Sequence, residues 1–313
     1  MKIPAFIRLT IRNIIVNIDI GTLIFMLGLP TLYLFVMGFM FQGIVTTGVP
    51  LQSGGSVSYT TFLAPGIIAL ESFTAGNIGG SMLWSDRRWG MFERIMVGPF
   101  RRIDYLLGII TVSIIFALVG SLIMLGFSLL IPISVIVTPE SILLSVFAIV
   151  VGTMLFSSLF LIISGLSKSM QAYNTITIVL FFMLDFASTA FYPITSTTPL
   201  WLRTLSGSNP LSFIANILRD SLISSVTSGT FFYAGILLIV MLVFPTPGTP
   251  AMIADFRFST ANHKYVASSE VAAPYFINRT YCLLNNSRRL YGNPCKQTGI
   301  KPVKYTKSTY RCT

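Results

Sequence analysis

The sequence predicts an all-α integral membrane protein with six transmembrane helices. Three observations carry that expectation. The 313 residues are 53% hydrophobic and only 10% charged, against about 25% charged in a soluble globular domain, and the mean hydropathy is +0.78. Apolar runs that approach or exceed the roughly 20 residues needed to cross the hydrocarbon core recur along the chain. Lys and Arg alternate between loops that carry them and loops that do not, as expected when the basic loops stay inside.

The first twenty residues read as an interfacial helix. Ile3, Ile7, Ile11, Ile14 and Ile18 share one helical face while Arg8 and Arg12 point elsewhere, the pattern of a helix lying on a membrane surface. The alternative is the ragged start of one helix over residues 13–44. Apolar runs follow at Leu23–Ile44, Thr61–Met82, Tyr105–Ile131, Ser141–Gly165, Ile176–Phe191 and Phe231–Phe244, the last two short for a crossing. Asp19 ahead of the first run, with no small-residue cleavage site after it, argues against a removable signal peptide.

Lys2, Arg8 and Arg12 precede the first run, and the loop from Val45 to Tyr59 has no charge. Arg87, Arg88, Arg94, Arg101 and Arg102 separate runs two and three, only Glu140 follows run three, and Lys168 follows run four. That alternation places both ends of a six-crossing domain inside, with Arg203 and Arg219 against the bias. The loop over Thr46–Ser58 is rich in Gly, Ser and Thr and is expected to lack regular structure, and Pro132–Pro139 is short enough to join its neighbours as an antiparallel hairpin.

The net charge of +11 resembles a nucleic-acid signal until it is divided. Residues 254–313 contribute +8 and residues 1–253 only +3, so the membrane portion is mildly basic for reasons of topology. No nucleic-acid partner is expected.

Residues 85–102 are the most charged stretch before the tail, with five arginines and the carboxylates Asp86 and Glu93. A short, charged, partly amphipathic segment between two membrane runs suits docking of a soluble partner. Its pattern Asp-Arg-x-x-Gly-x-x-Glu-x-x-x-x-x-Pro, from Asp86 to Pro99, resembles the coupling segment of type-2 ATP-binding-cassette exporter permeases. A second block lies between runs five and six: Tyr192-Pro193, Pro199-Leu200-Trp201-Leu202, Asn209-Pro210-Leu211 and Leu218-Arg219. Residues 192–227 are too apolar for a free loop and too interrupted for one crossing, and such backbone at membrane depth must be buried in protein or line a wet cavity. This block resembles the re-entrant outer helices that precede the last crossing in the same family. The resemblance covers residues 1 to about 243.

The resemblance implies an interfacial helix over 1–20 and a permease domain over 21–253, with a coupling helix within 84–102 and re-entrant helices within 192–227. It implies a separate ATPase subunit docking at Asp86, Arg87, Trp89, Gly90, Glu93 and Arg94, and a second permease copy, as a homodimer or similar heterodimer. ATP and Mg²⁺ would sit on that ATPase, with no cofactor on this chain. The short loops resemble those of drug- and antibiotic-resistance permeases, which implies export of a drug-like, lipid or other amphiphilic substrate across the cell membrane. Polysaccharide or lipid-linked glycan export is the alternative within the family, and a non-transporting scaffold or channel the alternative outside it.

The chain has no G-x-x-x-x-G-K-[ST] phosphate loop, no H-E-x-x-H and no G-x-S-x-G, so no catalytic residue and no metal ligand is expected. Two acids lie within apolar runs, Glu71 and Asp185. Each is costly facing lipid, and each is a candidate for the substrate path or a neutral carboxyl bonded to a neighbouring Ser or Thr. Trp201, Asn209 and Pro210 are candidates for an outer gate, Trp201 also for an interfacial anchor. The small-residue run Ala75–Ser81 suits close helix packing.

After Phe244 the resemblance stops at Pro245-Thr246-Pro247-Gly248-Thr249-Pro250. The tail 254–313 holds Cys282, Cys295, Cys312 and the single histidine, His263, without C-x-x-C spacing. It reads as a disordered basic extension, a small appended module, or residues out of frame.

Overall fold

The computed structural model describes residues 4–17, 20–42, 48–50, 56–98, 100–130, 138–194, 198–224 and 228–243, all within one unit, Met1–Phe256. The expected tail 254–313, the prolines after Phe244 and most of Pro132–Pro139 lie outside the described residues. Among the described residues the elements run α1 (Ala5–Asn17), α2 (Ile20–Gln42), β1 (Val49–Pro50), β2 (Ser56–Val57), α3 (Tyr59–Arg88), α4 (Met91–Val97), α5 (Arg102–Leu129), α6 (Pro139–Leu166), α7 (Met170–Phe186), α8 (Leu200–Gly207), α9 (Pro210–Leu222) and α10 (Ser228–Val243).

The chain is an all-α integral membrane protein. α2, α5 and α6 are long and apolar enough to cross a membrane, while α7 and α10 are apolar but shorter. α3 is different in kind. Its 30 residues make a rod about 45 Å long, yet Gly, Ser and Thr dilute its apolar character. Nearly every residue from Tyr59 to Gly80 is buried instead, because α2, α5, α6 and α9 all pack against it.

Small residues on α3 set those distances. A Cβ at Gly76 would stand 2.8 Å from Phe156 Cβ and Ser157 N on α6, and one at Gly80 would stand 2.7 Å from Phe160 Cβ. Close approach of this kind is how apolar helices associate where no hydrophobic effect acts between them. Gly76→Ala is expected to push α6 away and cost about 1–3 kcal/mol, read as a lowered unfolding midpoint in detergent. Gly28→Ala and Gly126→Ala, where no described atom lies within 4 Å of the added carbon, should leave the midpoint unchanged.

Two expectations about local structure are corrected. The loop over 46–58 carries a small antiparallel pairing, Val49 with Val57 and Pro50 with Ser56. The fifth helix is α7, Met170–Phe186, in place of Ile176–Phe191. It starts early because the Ser169 side chain caps it by accepting from Ala172 N, which carries the polar residues Gln171, Asn174 and Thr175 into the helix. It stops at Phe186 because residues 187–191 are held as non-helical backbone within the protein.

That backbone is satisfied by side chains. Arg219 on α9 is 5% exposed. Its Nη2 donates to Thr189 O at 2.6 Å and Ala190 O at 2.7 Å, and its Nε donates to Phe62 O at 3.1 Å. The guanidinium also stacks 3.7 Å from the Phe62 ring centroid. Tyr59 donates its hydroxyl to Phe191 O, and Thr189 N donates to Ser212 Oγ. Arg219 therefore does not act as a topology signal in water. It joins α9, α3 and the segment after α7.

Candidate functional site

At one end of α3 the chain makes a tight turn into α4. Gly90 sits between them with φ +65°, the left-handed region, which an L side chain adopts only with strain. Phe92 on α4 is 4% exposed and meets Tyr105 edge-on at 5.2 Å, in a cluster with Leu9, Leu83, Ile109 and Leu161. One face of α4 is thus fixed to α1, α3, α5 and α6.

The residues expected to dock a partner divide into two groups. Asp86 and Arg87 are half-buried and engage partners within the chain. Asp86 accepts from Arg12 Nη1 at 2.7 Å and Nη2 at 3.0 Å, and from the Tyr105 hydroxyl at 2.8 Å. The hydrogen bond to Asp86 raises the Arg12 guanidinium above its ordinary pKa. Arg87 donates to Ser164 O and Gly165 O at the end of α6, where helix carbonyls lack intrahelical donors. These two charges brace the turn.

Trp89 and Arg94 belong to the second group, and both face outward. Trp89 is 72% exposed and Val97, across the same short helix, is 90% exposed. Arg88 is exposed too and lies over the Trp84 and Trp89 rings at 5.3 and 5.9 Å. Glu93 is half-buried in the first turn of α4, and its Oε2 has no hydrogen-bond partner among the described residues. Pro99, the last motif position, lies outside the described residues.

α1 lies beside this assembly. Leu9, Thr10 and Asn13 are buried, with Leu9 packed over Gly108 of α5, while Ile7, Ile11, Ile15 and Val16 are exposed. Of the expected isoleucine row, Ile7 and Ile11 face away from the protein while Ile14 packs against its core; Ile3 and Ile18 lie outside the described residues.

At the other end, Asn209 and Pro210 open α9. Asn209 Oδ1 accepts from Leu211 N at 3.0 Å and its Nδ2 donates to Leu184 O at 2.7 Å, a helix cap with proline at the first position. Both therefore act as a helix start, and neither lines the two cavities described next. Trp201 on α8 is 68% exposed and lines neither cavity.

The first cavity, of about 480 Å³, lies between α2, α7 and the first turn of α3, with Asp185 in its wall. The second, of about 310 Å³, lies between α2, α3 and α7 nearer their middles, against Phe73, Asn77, Thr177, Phe181 and Phe182. Glu71 lines neither. It is fully buried, with Oε2 against Gly120, and neither carboxylate oxygen has a hydrogen-bond partner among the described residues. The alternative of a carboxyl bonded to Ser or Thr is not realised there.

Sequence reasoning missed Arg12, Tyr105 and Arg219. Only Arg219 left a signal, as a cation in an apolar run on the side where the charge bias forbids it.

The described helices form an apolar bundle around the buried α3, with the short, braced α4 exposed at one end. The family model for the ABC-2 type transporter matches residues 4–223, from α1 to the end of α9, and the chain belongs to that family. It is a permease subunit of an ABC-type transporter. No curated protein matches it.

Proposed function

We propose that this chain is the membrane-spanning half of an ATP-driven exporter, crossing six times through α2, α3, α5, α6, α7 and α10. A separate ATPase subunit docks at α4 and carries the ATP and Mg²⁺. The observation that carries this reading is the two-faced α4: Phe92 locked into the bundle, Arg94 and Val97 exposed on the other side, and Trp89 exposed in the turn before it. Apolar anchors beside cations suit a polar-rimmed interface. A second permease copy completes the path, and the exposed Ile7, Ile11, Ile15 and Val16 of α1 rest on lipid at the cytoplasmic surface. An amphiphilic cargo fits the apolar lining of both cavities.

Site-specific photo-crosslinking tests the docking. A benzophenone side chain at position 97 is expected to give an adduct whose partner is a protein with a Walker phosphate loop, and one at exposed Leu122 is expected to give none. Trp89→Ala combined with Arg94→Glu should lower the yield at position 97 about tenfold or more, since central aromatic and arginine anchors carry most interface energy. An adduct at Leu122 alone would overturn the docking surface.

A further inference from the structure

We propose that the cavity holding Asp185 binds a lipophilic organic cation. The inference rests on the permease reading and names the chemistry of its cargo. The Asp185 side chain is 4% exposed and lines the cavity, and its Oδ1 has no hydrogen-bond partner among the described residues. No described Lys or Arg forms an ion pair with it. Arg219, which is buried and holds the segment after α7, is committed to the carbonyls of Phe62, Thr189 and Ala190. A carboxylate placed in an apolar wall without a partner is costly, and a cation entering the cavity supplies the missing charge.

The rest of the wall suits the same ligand. Tyr33, Tyr59, Phe191 and Tyr192 surround the space. Their rings are fixed: Tyr33 packs on Phe191 at 5.2 Å, Tyr59 donates to Phe191 O, and Tyr192 donates to Phe186 O at 3.0 Å. Aromatic faces attract desolvated cations, and several such rings select weakly hydrated organic ones. The volume lies within the range of small-molecule sites, about 300–1,000 Å³. The second cavity is also aromatic but has no charged group in its wall, so it has no means of selecting by charge. Tyr192 and Phe186, both in the cavity wall, are exposed, so the cavity reaches the surface of the chain on their side.

The test uses the full chain in nanodiscs and two ions of matched size and shape, tetraphenylphosphonium and tetraphenylborate, with binding to empty discs subtracted. Saturable binding of the phosphonium and none of the borate is expected. Asp185→Asn should weaken the phosphonium about tenfold or more, and Tyr33→Leu should weaken it by a smaller factor. Asp185→Glu should retain most of the affinity. Equal binding of both ions, or unchanged phosphonium affinity in Asp185→Asn, overturns the proposal. If Asp185→Asn does not fold, Tyr33→Leu decides: unchanged affinity there overturns it as well. Crosslinking at position 97 is measured in parallel, in native membranes that contain the ATPase. Its absence there strikes the docking reading, whereas failed cation binding with that crosslinking intact strikes only the cargo assignment.

Discussion

Arg219→Met is expected to be the most destabilising single change in the described part of the chain. The carbonyls of Phe62, Thr189 and Ala190 lose their guanidinium donors together. An unsatisfied buried carbonyl costs about 1–3 kcal/mol, and lipid offers no water to replace the donor. The sum is several kcal/mol, a large part of the roughly 5–15 kcal/mol that holds a typical domain together. Size-exclusion of the detergent-solubilised protein across a temperature series should show the variant aggregating or failing to extract. Arg219→Lys should recover only part of the loss, since one ammonium cannot span Phe62 O and the two carbonyls after α7 as a planar fork does. A methionine variant as stable as the wild type would mean that the segment after α7 finds its donors elsewhere.

Asp86→Ala is expected to have the second largest effect, and in two readouts. It removes two hydrogen bonds from Arg12 and one from Tyr105. Bonds to a charged group contribute about 1.5–3 kcal/mol each when buried, but this pair is partly open to solvent, so the net loss should be near 1–3 kcal/mol. Because the end of α3 that leads into α4 then loses its tie to α1, crosslinking at position 97 should fall further than stability does. Exchanging the charges, Arg12→Asp with Asp86→Arg, should restore part of both, and Tyr105→Phe should cost less than Asp86→Ala. If position 97 crosslinks normally in Asp86→Ala, α4 is positioned by Phe92 packing alone.

The fold class was legible because apolar composition and basic-loop alternation report directly on the solvent around a helix. The turn at residues 85–102 was legible for the same reason: no other stretch before the tail concentrates charge. What each charge touches was not. Asp86 and Arg87 look like docking residues in one dimension, but their partners are 74 and 77–78 positions away in sequence, and only the folded bundle brings them together. Arg219 ran against the topology count because that rule weighs cations in water, and this one is buried. The end of α7 was misjudged because Ala187–Phe191 is apolar enough to read as helix, while its conformation is set by donors from α9 and α3. The tyrosines around Asp185 come from three separated segments, so no local pattern marks them as one wall.

α3 begins at Tyr59, beside the Asp185 cavity, and ends at Arg88, beside the turn into α4. A stiff beam of that kind has a mechanical consequence. With a length of about 45 Å, pivoting by roughly five degrees about its centre carries each tip about 2 Å, in opposite senses. A helix pivoting as one piece carries leverage from tip to tip without a relay of intervening rearrangements, and Pro65 and the glycines at 76, 79 and 80 are where that stiffness would yield. The ratio of the two strokes is fixed by where along the beam its neighbours clamp it.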